Sequence, residues 1–377
     1  MSDPQGILTQ RVSSHLVREL AAEVGFRLAG VTSPAPVPDF DRFRAWVDRG
    51  LAGEMRYLTD HRADVRSDLN RLLPGVRSVI SVGMMYAPVG QAISSPARGN
   101  PGVGLIARYA QGEDYHTVIR RKLEALAARL SEHAPFAWRA CVDTAPILER
   151  SLARRAGLGW IGKNTCLINQ QSGSFFLLGE LLTTLEIETD ASLDAPPPDR
   201  CGTCTRCIGA CPTRAIVPSP QGGFELDAQL CISHFTIELR GPVPEEHRAA
   251  IGNNVFGCDI CQDVCPWNKA EAEPNPVPLE ELAGLTEGEF RDRYRNTAVS
   301  RAKYSGFLRN VAIAMGNSGL EQFREPLERL SRSADPLVAE HANWSLERLP
   351  HQTEPRPQGS GSTAVNPPTP RAKMTLR

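Results

Sequence analysis

Eight of the ten cysteines in this chain fall into two tight runs and one outlier between them, and that pattern limits the fold more than any other feature. The first run is Cys201-x2-Cys204-x2-Cys207-x3-Cys211-Pro212. The second is Cys258-x2-Cys261-x3-Cys265-Pro266, one thiol shorter, and Cys231 restores the count to eight. A cubane iron–sulfur cluster needs four thiolates, and one short loop wraps only three of its corners. In bacterial two-cluster ferredoxins the cysteine before the proline ligates the other cluster. The same crossing here predicts two [4Fe–4S] clusters. One takes Cys201, Cys204, Cys207 and Cys265, and the other Cys211, Cys231, Cys258 and Cys261. Zinc sites use C-x2-C pairs separated by a spacer, which fits three successive x2 spacings poorly. Cys141 and Cys166 lie in apolar stretches and read as core residues.

Two neighbouring clusters form a relay for single electrons, and they occupy a small part of 377 residues. The remainder must hold a redox partner, a substrate or both. Hydrophobic residues make up 41% and charged residues 23%, the balance of a globular protein. The net charge of −1 provides no global field for nucleic acid or membrane. Neither a secretory signal nor a run of spanning length is visible. The expectation is a cytoplasmic protein, monomeric and without membrane contact, in a compartment that keeps thiols reduced.

Four regions follow from pattern. Residues 1–193 alternate helical and strand signals: "RLAGVTS", "VRSVISVGMMY" and "FAWRACVD" read as strands, and 114–133 as a helix with a stripe of Val118, Leu123, Leu126 and Leu130. "TAPILERSLARRAG" reads as a helix stopped by Gly157, with Asp143 placed to cap it. This is an α/β layout around a sheet. Residues 194–270, opened by "DAPPPD", form the ferredoxin-like domain. Residues 271–350 are helical, and "GFLRNVAIAMGNSG" and "DPLVAEHANWSLERL" resemble HEAT-type elements. Residues 351–377 are rich in Pro, Ser, Gly and Thr and read as a disordered tail.

The block "CVDTAPILERSLARRAGLGWIGKNTCLI" (141–168), with "CGTCTRCIGACPTRAI", "CISHFTIE" and "GCDICQDVCPWN", closely resembles the epoxyqueuosine reductases. The likeness runs from about residue 7 to 350. It implies an iron–sulfur and cobalamin enzyme that takes tRNA carrying epoxyqueuosine, and reduces the epoxide on the wobble base with loss of water. It also implies a cobalamin-binding N-terminal domain, a ferredoxin-like domain and HEAT-like helices holding the anticodon stem-loop. Electrons would come from an external low-potential donor. Asp143 matches the family's proton donor, so burial is expected to raise its pKa. "DYHTVI" has Asp114 and His116 but Ile119 where a base-off cobalamin motif has glycine. No histidine ligand to cobalt is therefore expected, and Asp114 reads as a helix cap. Lys163, Asn164 and Thr165, in a glycine-containing turn, are expected at the corrin. Ser233 and His234 follow a cluster ligand and are expected between cluster and corrin. Tyr57, Tyr109 and Ser174 complete the expected cofactor contacts.

Local charge supports a polyanion partner where net charge does not. "RDRYRNTAVSRAKYSGFLRN" (291–310) holds Arg291, Arg293, Arg295, Arg301, Lys303 and Arg309 against one Asp292, with Tyr294 and Tyr304 interleaved. The cations are expected on phosphates and the tyrosines on unpaired bases. Two other readings stand beside this one. A reductive dehalogenase-like enzyme acting on a small molecule would have no use for this basic segment. A non-catalytic RNA-binding protein stabilised by metal would bind no corrin.

Overall fold

The apolar runs read as strands pair into one sheet. In the computed structural model, which describes residues 12–86, 99–188, 197–268 and 275–350, strands Leu28–Thr32, Ser78–Met85, Phe176–Thr183 and Trp138–Cys141 lie side by side in that order. Every pairing is antiparallel. Ser78–Met85 and Phe176–Thr183 pair along eight residues each, so the Val, Ile and Leu side chains of both alternate onto two buried faces.

Each face is covered by a helix. Tyr115–Ser131 packs on one through Ile119, Leu123, Leu126 and Leu130, all fully buried. Ile119 takes the place expected for Val118, which turns half outward. Gly179 admits this helix, since a Cβ there would stand 2.6 Å from the Ile119 side chain. Glu149–Arg155 covers the other face, its Leu152 packing with Val79, Cys141 and Leu182. Gly30 permits that approach, because a Cβ would lie 2.0 Å from the Ala156 carbonyl oxygen. Asp114 caps Tyr115–Ser131 as expected, accepting the His116 N–H at 2.9 Å.

The helix after the Asp143 strand departs from expectation. It begins at Glu149, with Leu148 as its N-cap, so Asp143 caps no helix. Residues 142–148 form an irregular loop instead. Pro146 lacks an N–H and disfavours helix in the residue before it, which delays the start.

A second sheet joins distant parts of the chain. Val103–Ile106 lies between Asn254–Phe256, which it pairs in parallel, and Asn275–Pro278, which it pairs antiparallel. Helices Lys303–Ser318, Arg324–Ser331 and Pro336–Arg348 pack together beyond it. Gly316 lets the first touch the third, a Cβ there standing 2.5 Å from Ser345 Oγ. The tail reading for 351–377 lies outside the described residues. Among the described residues no helix is long and apolar enough to cross a membrane.

Candidate active site

Asp143 follows strand Trp138–Cys141 and stands at φ 44°, a left-handed conformation that is uncommon for a residue with a side chain. Its Oδ2 accepts three hydrogen bonds: from Tyr115 Oη at 2.8 Å, from Arg301 Nη1 at 3.0 Å and from His116 Nε2 at 3.2 Å. Oδ1 has no partner among the described residues. Burial alone would favour the neutral acid. The hydrogen bonds from His116 and Tyr115, with the Arg301 charge, outweigh it and hold the carboxyl well below the ordinary carboxylate range. The expected upward shift is therefore reversed, because partners from helix Tyr115–Ser131 and from residue 301 neutralise the charge that burial would penalise.

His116 has a carboxylate at each ring nitrogen, Asp114 Oδ1 at 2.7 Å from Nδ1 and Asp143 Oδ2 from Nε2. Desolvation opposes its charge, but the two carboxylates prevail and raise its pKa. An imidazole donates at both nitrogens only as the cation. His116 thus has both ring nitrogens engaged by carboxylates and serves the aspartate. Burial and the neighbouring Asp143 charge push the Tyr115 hydroxyl up, so it stays a donor.

Arg301 corrects the charge reading. It is half-buried, bonded to Asp143 and, through Nη2 at 2.9 Å, to Glu238, and so belongs to the acid site. Glu238 ends a π-helical turn, His234–Glu238, a distortion found often at functional sites. Arg309 corrects it further. It is 1% exposed and donates to the carbonyls of Phe235, Leu239 and Gly241 and to Asn310 Oδ1. It braces the π-turn from inside and cannot meet a phosphate. Tyr294 is buried among Phe290 and Phe307, and Tyr304 packs on Phe290 with its hydroxyl donating to the Leu285 carbonyl. Neither offers a stacking face. Arg291, Arg293, Arg295 and Lys303 are exposed, and Arg293 and Arg295 pair with Glu281 and Asp292.

Asp143 lines a cavity of about 710 Å³. Tyr57, Glu149, Arg150, Gly162, Lys163, Thr165 and the segment 222–226 form much of the rest of its wall. Tyr57 and Thr165, two of the expected corrin contacts, both line this cavity, Thr165 with its carbonyl receiving a bond from Arg150. Lys163 also lines a second cavity of about 390 Å³. Its Nζ donates to the carbonyls of Gly202 at 2.7 Å and Cys204 at 3.0 Å. Asn164 faces that second cavity too, with its Nδ2 near the Cys261 carbonyl. Ser174 stands outside the large cavity, correcting its expected role: it bonds Gln262 and Asn268 and clamps its hairpin to the second cysteine run. Tyr109 packs behind Tyr115 and Phe256 rather than on the cavity wall.

The second cavity is lined by Cys201, Cys204, Cys207 and Cys265 together, the set that the spacing argument crosses. Cys211, Cys231, Cys258 and Cys261 gather apart from them, each close enough to a neighbour in the set to influence its titration. Burial pushes the Cys231 thiol up, and the bonds that the N–H groups of Ser233 and His234 and the Ser233 hydroxyl make to its sulfur pull the other way without outweighing it. Cys166 is no simple core residue. It sits in a turn, hydrogen-bonded to Cys261. The His234 ring is buried, with both nitrogens lacking a hydrogen-bond partner among the described residues. Its Nε2 would lie 3.2 Å from a Cβ on Gly53, just before the cavity residues Met55 and Tyr57. A buried imidazole without partners is costly in an otherwise filled protein.

Comparisons with known proteins bear on this site directly. The family profile described as epoxyqueuosine reductase QueG, DUF1730, matches residues 66–144, and the 4Fe–4S double cluster binding domain matches 200–268. An epoxyqueuosine reductase of Xanthomonas campestris pv. campestris is 40% identical over 343 residues, 88% of this chain and 94% of the relative. The chain belongs to the epoxyqueuosine reductase family. The Escherichia coli K12 relative is 37% identical, covering 88% of each chain. Among solved structures, an epoxyqueuosine reductase bound to an epoxyqueuosine-modified tRNA-Tyr stem loop is 28% identical with a TM-score of 0.77, covering 89% of each chain. A Bacillus subtilis epoxyqueuosine reductase with its catalytic aspartate loop swung out of the active site has a TM-score of 0.76 at the same identity and coverage. The α/β fold of this family, with its double-cluster domain, is therefore the fold of this chain. Sequence reasoning missed Tyr115, Glu149 and the role of Arg301. "DYH" beside a candidate acid was the available signal for the first.

Proposed function

We propose that this protein reduces the epoxide of epoxyqueuosine in tRNA to the cyclopentene of queuosine, with cobalamin in the large cavity and two [4Fe–4S] clusters behind it. One observation carries the reading: Asp143 and a turn shared with a four-thiol cavity line one and the same pocket, joined through Lys163. The pocket's size, its Gly-bearing rim at 222–223 and the partnerless His234 nitrogens nearby support a cofactor there. Tyr57, Lys163, Thr165 and His234 would hold it. When bound, reduced cobalt supplies a low-potential centre for the two-electron deoxygenation.

The reaction consumes two electrons and two protons, and the epoxide oxygen leaves as water. Asp143 delivers one proton to that oxygen and solvent supplies the second. His116 holds the proton in reserve on Nε2, 3.2 Å from Oδ2. Tyr115 and Arg301 fix the carboxylate plane. Closure of the pocket by RNA would strip water from Asp143 and raise its proton affinity, drawing the proton from His116. Arg291, Arg293, Arg295 and Lys303 would meet phosphates, and Arg301, anchored on Asp143, keeps that segment beside the pocket. The protein would act in the cytoplasm as a monomer, fed by an external low-potential donor.

The test is anaerobic turnover with tRNA carrying epoxyqueuosine, a low-potential reductant, and cobalamin present or absent, followed by nucleoside mass spectrometry. Cobalamin-dependent loss of one oxygen supports the reading. No conversion by protein with intact clusters and bound corrin refutes it.

A further inference from the structure

Glu149 is an acid beside Asp143 that the reaction above does not use. It opens helix Glu149–Arg155 and lines the large cavity. Its Oε1 accepts the backbone N–H of Asp143 at 2.6 Å. That bond has a task. Asp143 stands at φ 44°, and such a conformation persists only where its surroundings hold it. Two backbone bonds of the loop from 142 to 148, Thr144 N–H to the Val142 carbonyl and Ile147 N–H to the Ala145 carbonyl, are internal to it; from outside, Tyr115, His116 and Arg301 hold the Asp143 side chain, and Glu149 holds its backbone. In the Bacillus subtilis relative the catalytic aspartate loop is found swung out.

The charges around Glu149 come from several elements. Asp143 faces it from the loop, His116 from helix Tyr115–Ser131, Arg150 from its own helix and Arg66 from the segment after residues 62–65. Cys141 and Glu180 lie beneath it in the sheet. Glu180 is fully buried with both carboxyl oxygens lacking hydrogen-bond partners among the described residues, and burial pushes its pKa well up, toward the uncharged acid. Burial first, and the Asp143 carboxylate second, push the Glu149 carboxyl up to about 8. The Asp143 N–H bond pulls the other way and is outweighed. Ionised Glu149 therefore meets net repulsion from Asp143, whereas the neutral acid keeps the N–H bond without it.

We propose that neutral Glu149 is the positioning residue that latches the Asp143 loop into the pocket, and that its ionisation loosens the latch. This rests on the epoxide-reducing reading of Asp143, and its test has an arm independent of turnover. The E149Q substitution copies the neutral acid, since an amide oxygen can still accept from the Asp143 N–H. The E149A substitution removes the acceptor.

Reconstituted full-length wild type, E149Q and E149A are compared in two ways. Hydrogen–deuterium exchange of the peptide spanning 142–148 is followed from pH 6.5 to 9.5, corrected for intrinsic rates. The pH profile of single-turnover rate is measured over the same window. The wild-type peptide loses protection, and the rate falls about tenfold per pH unit, above about 8. E149Q stays protected and lacks that limb. E149A exchanges fast at every pH and loses at least about tenfold in rate with tRNA affinity unchanged, and E149Q recovers most of that loss. His116 titrates in all three proteins, so the difference between wild type and E149Q isolates Glu149. An E149Q limb identical to wild type, or an E149A peptide as protected as wild type, overturns the proposal. If wild type turns nothing over, the epoxide reading fails, and the exchange data still decide whether Glu149 is a latch.

Discussion

Arg309→Ala separates two readings of the same residue. Arg309 donates to three backbone carbonyls, of Phe235, Leu239 and Gly241, and to Asn310 Oδ1, in a site 1% exposed. Removing it leaves those carbonyls without their donor, at about 1–3 kcal/mol for each buried polar group. Relief of a buried charge offsets part of that sum; burial already drags the Arg309 pKa down to about 10. Breaking such a buried hydrogen-bond network costs about 3–5 kcal/mol net. At about 2 °C per kcal/mol for a chain larger than 250 residues, the melting midpoint falls by about 6–10 °C. Arg309→Met fills the space but supplies no donor, and should lose most of the same stability. The assay is anaerobic thermal unfolding of cluster-loaded protein, alongside tRNA affinity measured across salt. A phosphate contact would behave oppositely: unchanged melting, weaker tRNA binding and a salt slope smaller by about one. That outcome would refute the structural role assigned to Arg309.

Three further outcomes are expected. Asp143→Asn should lower turnover by about 10²–10⁴-fold, the usual contribution of a general acid, with iron content and tRNA binding unchanged; equal loss of iron would make Asp143 a folding residue. Cys265→Ala should abolish the cluster signal belonging to Cys201, Cys204 and Cys207 in iron analysis and electron paramagnetic resonance, and loss of the other cluster alone would disprove the crossing. His341 is buried, accepts the Val243 N–H at 3.1 Å and contacts the Leu337 carbonyl at 2.7 Å. Burial pushes its pKa down to about 4, below the unfolded value of about 6.5. Its contribution is fully present above pH 6.5 and is lost as pH falls toward 4, about 3 kcal/mol in all; denaturant midpoints of wild type and H341Q across that range should differ in slope, and parallel curves would remove His341 as the cause.

Sequence alone determined what depends on spacing along the chain. The cysteine intervals point to two sets of four thiols because a short loop can reach only certain corners of a cubane, and Cys201, Cys204, Cys207 and Cys265 line one cavity together. The sheet strands were legible because eight-residue runs such as "SVISVGMM" have no other good use for so many β-branched and apolar side chains. Asp114 as a cap was legible because a cap acts on N–H groups two residues away. Tertiary structure decided everything that depends on what lies opposite. Arg301 and Arg309 sit in one basic stretch, yet one turns into an acid site and the other into a core. Charge pattern records sign and cannot record direction. Asp143 shows the same limit in its proton: burial alone predicted an acid held neutral, and three donors from residues 115, 116 and 301 made it an anion. A pKa is set by the sum of desolvation and partners, and the partners come from segments up to 158 residues away, which no local pattern contains.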